Sequence, residues 1–245
     1  MSKTAILFVY ILLILSVSCL ACNITPPEYF DYASEQLNNL DIVKQEYGQK
    51  PLETIKPILT DENCDYSVWR RAVAAVAFTG EDGAALLLIN LEPRLKLRLF
   101  DKKSEALLYT LGCIYDHRTL DVSLSVLESD TPIPLKCIAA DNIYKLAEQT
   151  SWSAQKTVRC PDGTVLSIMS GSETVCCTAR PTYSSGQAIN QDMMKPVRDR
   201  LAQLIQTTAD NKDTQVFYKK IQSVVDLIDS REKALADFLY CQEPQ

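Results

Sequence analysis

Trp69-Arg70-Arg71-Ala72-Val73-Ala74-Ala75-Val76-Ala77 is the stretch that decides the fold, because it recurs twice. It aligns without gaps to Lys103-Ser104-Glu105-Ala106-Leu107-Leu108-Tyr109-Thr110-Leu111 and to Leu135-Lys136-Cys137-Ile138-Ala139-Ala140-Asp141-Asn142-Ile143. Ala77, Leu111 and Ile143 hold equivalent places, spaced 34 and 32 residues apart. A period in that range marks stacked helical hairpins. One hairpin cannot bury its apolar face alone, whereas neighbours in a stack share a continuous core. The alanines of the phrase let helices approach closely.

A second phrase lies between these segments. It reads Leu52-Glu53-Thr54-Ile55-Lys56-Pro57-Ile58-Leu59-Thr60-Asp61 and again Leu120-Asp121-Val122-Ser123-Leu124-Ser125-Val126-Leu127-Glu128-Ser129-Asp130. Leu120, Leu124 and Leu127 share one helical face. Thr131-Pro132-Ile133-Pro134 ends that helix and starts the next, since proline suits a first turn and not an interior. Asp116 or Thr119 is the expected cap at its start. About three and a half units fit this scheme, with Tyr29–Val43 as the expected first helix.

The two phrases resemble the HEAT-like repeats of the phycobilisome-lyase type, in which a helix with a basic pair and an Ala-rich face alternates with a Leu-rich helix ending in acidic and proline residues. Here the basic pair is Arg70-Arg71, Lys136 holds the matching place in the third unit, and Ser104-Glu105 departs from it in the second. The resemblance covers residues 27–149. It implies a scaffold and no lyase activity, because a fold of this kind hosts many functions.

The remaining chain divides by composition. Lys3, the apolar run Ala5–Val17 and the small residues that follow make a secretory signal, expected to span residues 1–21. The stretch Ala5–Ala21, 17 residues long, is also at the lower edge of what spans a bilayer, so a retained signal is the alternative. Leu15-Ser16-Val17-Ser18-Cys19 resembles a loose bacterial lipobox, which would end the signal at 18 and lipidate Cys19. Asn23-Ile24-Thr25 is a glycosylation sequon weakened by Pro26. Residues 150–190 are rich in Thr, Ser, Val and Cys and form the expected Cys-containing insert. Within it Val158–Cys160 and Thr164–Ile168 are poised to pair as a small β-hairpin across Pro161-Asp162-Gly163. Residues 191–245 read as a C-terminal helical hairpin. Met194, Val197, Leu201, Leu204 and Ile205 face one way on its first helix, and Phe217, Ile221, Val224 and Ile228 on its second. The expected fold class is thus mainly α: a short α-solenoid of HEAT-like hairpins, a Cys-containing insert and a closing hairpin that caps the array.

Composition narrows the function. A net charge of -6 and a pI near 5.0 argue against a nucleic-acid binder. A single histidine, His117, excludes a His-rich metal site and forces any Ser/His or Cys/His pair to use it. In Tyr115-Asp116-His117-Arg118 it reads as a polar turn residue. No phosphate-binding glycine loop, serine elbow or metalloprotease helix is present. No cofactor and no metal is expected.

Nine cysteines include Cys19, and the other eight permit a disulfide framework in an exported chain. Cys113 and Cys137, inside amphipathic helices, read as buried thiols. Cys160 with Cys176 or Cys177 is the candidate disulfide, because the loop between them is short, and its closure would contribute about 3 kcal/mol. Arg94, Lys96, Arg98, Lys102 and Lys103 form a candidate basic interaction patch for an acidic partner or anionic headgroups, or a solvated connector between hairpins. The expected function is an exported, non-catalytic scaffold whose partner is another protein, with a membrane met only through a lipid anchor or a retained signal. The alternatives are a thiol-disulfide protein using Cys176 and Cys177, or a structural envelope lipoprotein.

Overall fold

The computed structural model describes Leu37 and residues 39–114, 116–150, 153–159, 165–171, 191–208 and 215–240. The chain is mainly helical. Its described elements are α1 (Leu40–Tyr47), α2 (Pro51–Thr60), α3 (Tyr66–Val76), α4 (Glu81–Lys96), α5 (Lys102–Leu111), α6 (Arg118–Glu128), α7 (Ile133–Gln149), β1 (Ser153–Arg159), β2 (Val165–Gly171), α8 (Gln191–Thr208) and α9 (Gln215–Tyr240). The two strands pair antiparallel, from Ser153 opposite Gly171 to Arg159 opposite Val165, and β1 lies against α9.

Local chemistry sets most helix starts. The Asn39 side chain accepts from the Ile42 N–H at 3.0 Å, and Asp65 accepts from Ser67 N–H at 2.8 Å and Val68 N–H at 3.4 Å. Asp101 accepts from Ser104 N–H at 3.0 Å. Pro51 occupies the first turn of α2, where its missing N–H is no loss. At α6 the N-cap position is His117, without a side-chain cap bond, and Asp116 just before it accepts from the Arg118 N–H at 2.9 Å. Thr119, the other expected cap, instead donates its hydroxyl to Leu111 O at 3.3 Å, tying α6 to α5.

Packing follows an alternating pattern. Consecutive helices pair as α2 with α3, α4 with α5, α6 with α7 and α8 with α9. One helix of each pair then packs on its successor: α3 on α5, α5 on α7 and α7 on α9. On the other side α2 meets α4, and α6 meets α8. The three Ala-rich segments are therefore the interior helices α3, α5 and α7. Ala72, Ala75, Ala106, Ala139 and Ala140 are all fully buried, so the facing backbones come close. Buried leucines and valines between them each contribute roughly 1.5–3 kcal/mol. The core runs unbroken through α8 and α9, where Met194, Leu201, Phe217, Ile221, Val224 and Ile228 are also buried.

Specific contacts fix the register between neighbours. Asn142 on α7 is fully buried and donates to Leu108 O on α5 at 2.8 Å. Gly112 makes this approach possible: a Cβ there would stand 1.8 Å from Asn142 Oδ1. Trp69 Nε1 donates to Leu59 O at 3.2 Å, joining α3 to α2. The Lys103 ammonium of α5 lies 5.1 Å from the Trp69 ring centroid, and Lys136 of α7 lies 5.4 Å from that of Phe217 on α9. Arg71 makes a two-pronged ion pair with Glu46, which holds the Glu46 carboxyl below its ordinary range.

Two expectations need adjusting. Of the expected first helix, residues 29–36 and 38 lie outside the described residues; among the described ones the helix begins at Leu40 and extends past Val43 to Tyr47. The stretch Glu92–Lys103 is not a connector throughout. Helix α4 continues to Lys96 with Pro93 inside it, and only residues 97–101 join it to α5. Pro93 is tolerated because it lies on an outer face: the residue one turn before it, Ile89, is 67% exposed. The carbonyl that Pro93 leaves without a helical donor belongs to that same outer turn.

Candidate functional site

Three surfaces and one interior cluster among the described residues bear on function. The first surface is the α4–α5 turn, which contains the candidate basic patch. Two of its five cations are held against the fold, and a third, Arg98, makes only an exposed 3.6 Å ion pair with Asp130. Arg94 bonds Asp101 and donates from Nε to Ser104 Oγ at 3.1 Å. Lys103 lies over Trp69. Burial pushes the Asp101 carboxyl up, and Arg94 and the Ser104 N–H pull it below its ordinary range. Lys96, Arg98 and Lys102 are exposed.

The turn itself is tightly built. Leu99 N–H donates to Arg94 O at 2.8 Å and Arg98 N–H to Leu95 O at 3.1 Å. This is the Schellman closure of a helix, whose C′ residue adopts a left-handed conformation usually reserved for glycine. Here that residue is Arg98, with φ of 54°. Ser104 Oγ donates to Leu99 O and fixes the far side of the turn. Leu97 and Leu99, flanking Arg98, are 70% and 45% exposed.

The second surface is a groove of about 290 Å³ between α6 and α8. Leu120, Leu124, Met193, Pro196 and Val197 line it, with His117, Asp121 and Arg200 as its polar members. Arg200 bonds Glu128 through Nε at 2.7 Å and so bridges α8 to α6 beside the groove. His117 stands at the start of α6, but its Nδ1 is 3.9 Å from Asp116 Oδ1, too far for a hydrogen bond. The Asp116 carboxylate is taken by Arg118, with Nε at 2.9 Å and the terminal nitrogen at 2.6 Å. Burial raises the Asp116 carboxyl, and Arg118 more than reverses that. An acid–base pair between His117 and Asp116 is therefore not assembled.

The third surface is a cleft of about 450 Å³ bordered by Leu40, Lys44, Pro51, Leu52, Phe78 and Gly80, at the end of the described chain where α1 begins.

The interior cluster joins three consecutive inner helices. Asp141 on α7 receives Lys220 of α9 at 2.9 Å and Lys145 one turn along α7. The Lys145 ammonium also lies 4.6 Å from the Tyr109 ring centroid on α5. Burial drives the Asp141 carboxyl up, and the two lysines overcome it and hold the group below its ordinary range. This is a structural ion cluster with no open face for a substrate: the three charged side chains are 12–22% exposed.

Cys19, Cys160, Cys176 and Cys177 lie outside the described residues, as do Cys22 and Cys241. Cys137 is buried in α7 and Cys113 is half-buried, its Sγ 3.5 Å from Tyr109 O. Among the described residues no cluster of three His, Cys, Asp or Glu side chains is arranged to hold a metal ion. Among them, too, no helix is long and apolar enough to cross a membrane. The basic stretch is legible in the sequence and the groove is not. The groove joins helices distant in the chain, and only the amphipathic stripe of each was visible beforehand.

Comparison with family models, with curated proteins and with solved structures finds no match to this chain.

Proposed function

We propose that the chain is an exported, non-catalytic scaffold: a short α-solenoid of HEAT-like hairpins that binds another protein. The observation that carries this is the alternating packing itself. Each of α3, α5 and α7 contacts the next inner helix, and α8–α9 repeats the arrangement of α6–α7 rather than folding back over the end. A stack built this way offers one extended surface whose grooves lie between successive outer helices. The α6–α8 groove, with an apolar floor and Asp121, His117 and Arg200 on it, is the docking site in this reading. The paired strands form an insert whose first strand lies against α9. The N-terminal signal exports the chain, and Cys19 anchors it if the lipobox is used.

The test is mild cross-linking in the native host followed by capture on a C-terminal tag. Recovery of one protein in near-equal amount, resistant to reductant, is the expected result. Recovery of only short-lived, thiol-linked species would overturn the scaffold reading in favour of disulfide exchange.

A further inference from the structure

Four large apolar side chains are exposed among the described residues: Val68, Ile89, Leu97 and Leu99. Three of them converge on the outer face of α4 and the turn that follows it. Ile89, Pro93 and Lys96 share one helical face at intervals of four and three residues, and Leu97 continues it. Ile89 is 67% and Leu97 70% exposed, whereas along α4 Leu86, Leu87, Leu88 and Leu91 are buried and Leu95 is half-buried. Lys96, Arg98 and Lys102 stand around Leu97 and Leu99. Acidic side chains are also near: Glu92 is exposed on α4, Asp101 is occupied by Arg94, and Asp130 meets Arg98 only at 3.6 Å, both partners being well exposed. The stretch from Glu92 to Lys103 is thus net basic within a chain of net charge -6.

The backbone adds an independent observation. Arg98 holds the left-handed position of a Schellman turn, where glycine is the low-strain residue. Retaining a long cation there places a charge between two exposed leucines at the tip of a rigid turn. Strain of this kind at an exposed turn points to a role outside folding.

We propose that this face is a membrane-contact site, which lays Ile89, Leu97 and Leu99 into the interfacial region of an anionic bilayer while Lys96, Arg98 and Lys102 meet lipid headgroups. Apolar side chains rimmed by cations are what interfacial adsorption requires, and the opposite charge of the surface selects an anionic leaflet. The contact is weak and reversible, suited to orienting a chain already delivered to the membrane. It does not depend on the partner-binding groove at α6–α8.

The test is sedimentation of the full chain with vesicles of phosphatidylcholine alone or with a third phosphatidylglycerol. The expected result is tighter association with the anionic vesicles, weakened by salt. A Lys96→Gln/Arg98→Gly/Lys102→Gln variant should lose at least tenfold of the anionic preference. Leu97→Ser/Leu99→Ser should weaken adsorption to the anionic vesicles. Arg98→Gly alone is the control for folding, because it should raise the unfolding midpoint while lowering adsorption. The N-terminal apolar run is common to every variant, so equal adsorption of variants and parent overturns the proposal. Equal association with both vesicle types overturns it as well. Binding to an acidic peptide without any to vesicles would assign the surface to a protein instead.

Discussion

Replacing Asp141 with Asn keeps the shape of the side chain and removes the charge that joins α7 to α9. In the native fold its two oxygens face Lys220 at 2.9 Å and Lys145, and Lys145 is only 12% exposed. The substitution leaves both ammonium groups poorly hydrated and without a counter-charge. Removing one member of a fully buried pair costs about 3–5 kcal/mol. The Asp141 and Lys220 side chains keep roughly a fifth of their surface in contact with water, so the expected loss here is about 2–3 kcal/mol. For a domain of this size that lowers the midpoint of thermal unfolding by about 4–12 °C. Thermal and urea unfolding followed by circular dichroism measure it. Because the cost comes from the stranded lysines, Asp141→Asn/Lys145→Met/Lys220→Met should recover at least half of the loss. A loss under about 0.5 kcal/mol for Asp141→Asn, or simple additivity across the triple variant, would refute the assignment of the cluster as the bond between inner helices.

Four further outcomes follow from the same geometry. Gly112→Ala puts a methyl group into Asn142 and should destabilise by about 2–3 kcal/mol, with much of that regained in Gly112→Ala/Asn142→Ala, as urea unfolding would measure. Trp69→Phe loses the bond to Leu59 O and should cost about 1–2 kcal/mol by the same measurement. Arg98→Gly should stabilise by about 0.5–1 kcal/mol, since glycine takes the left-handed position without strain. Asp116 and Asp141 both have carboxyls held below the ordinary 3.8. Their stabilisation is fully present above that value and is lost as pH falls through their lowered folded values. Acid unfolding of Asp116→Asn/Asp141→Asn should therefore show a shallower dependence on pH below about 4 than the parent.

Sequence periodicity made the inner helices legible. The Ala-rich phrase marks α3, α5 and α7 because small residues there serve the same close approach in each unit. The stripe Phe217, Ile221, Val224, Ile228 likewise marked the buried face of α9. Helix α4 escapes both recurring phrases, and Pro93 with the run of charges after it reads as a connector. Proline on an outer helical face leaves its unpaired carbonyl to water, and no one-dimensional signal separates that from a true stop. The Schellman turn was hidden for the opposite reason: its usual glycine is replaced by Arg98. Of the candidate basic patch, sequence could not tell that Arg94 and Lys103 are engaged by Asp101, Ser104 and Trp69. That division arises from side-chain reach across a turn and between α5 and α3. The Asp141 cluster and the α6–α8 groove depend on contacts between separate helices, so neither leaves a local pattern to read.

Hydrogen exchange on the cross-linked, captured complex shows whether a partner protein sits between α6 and α8. Docking there protects α6 and α8 along the groove lined by Leu120, Leu124, Met193 and Val197 and leaves the interior helices unchanged. Protection confined to residues 150–190, and absent from α6 and α8, would contradict it.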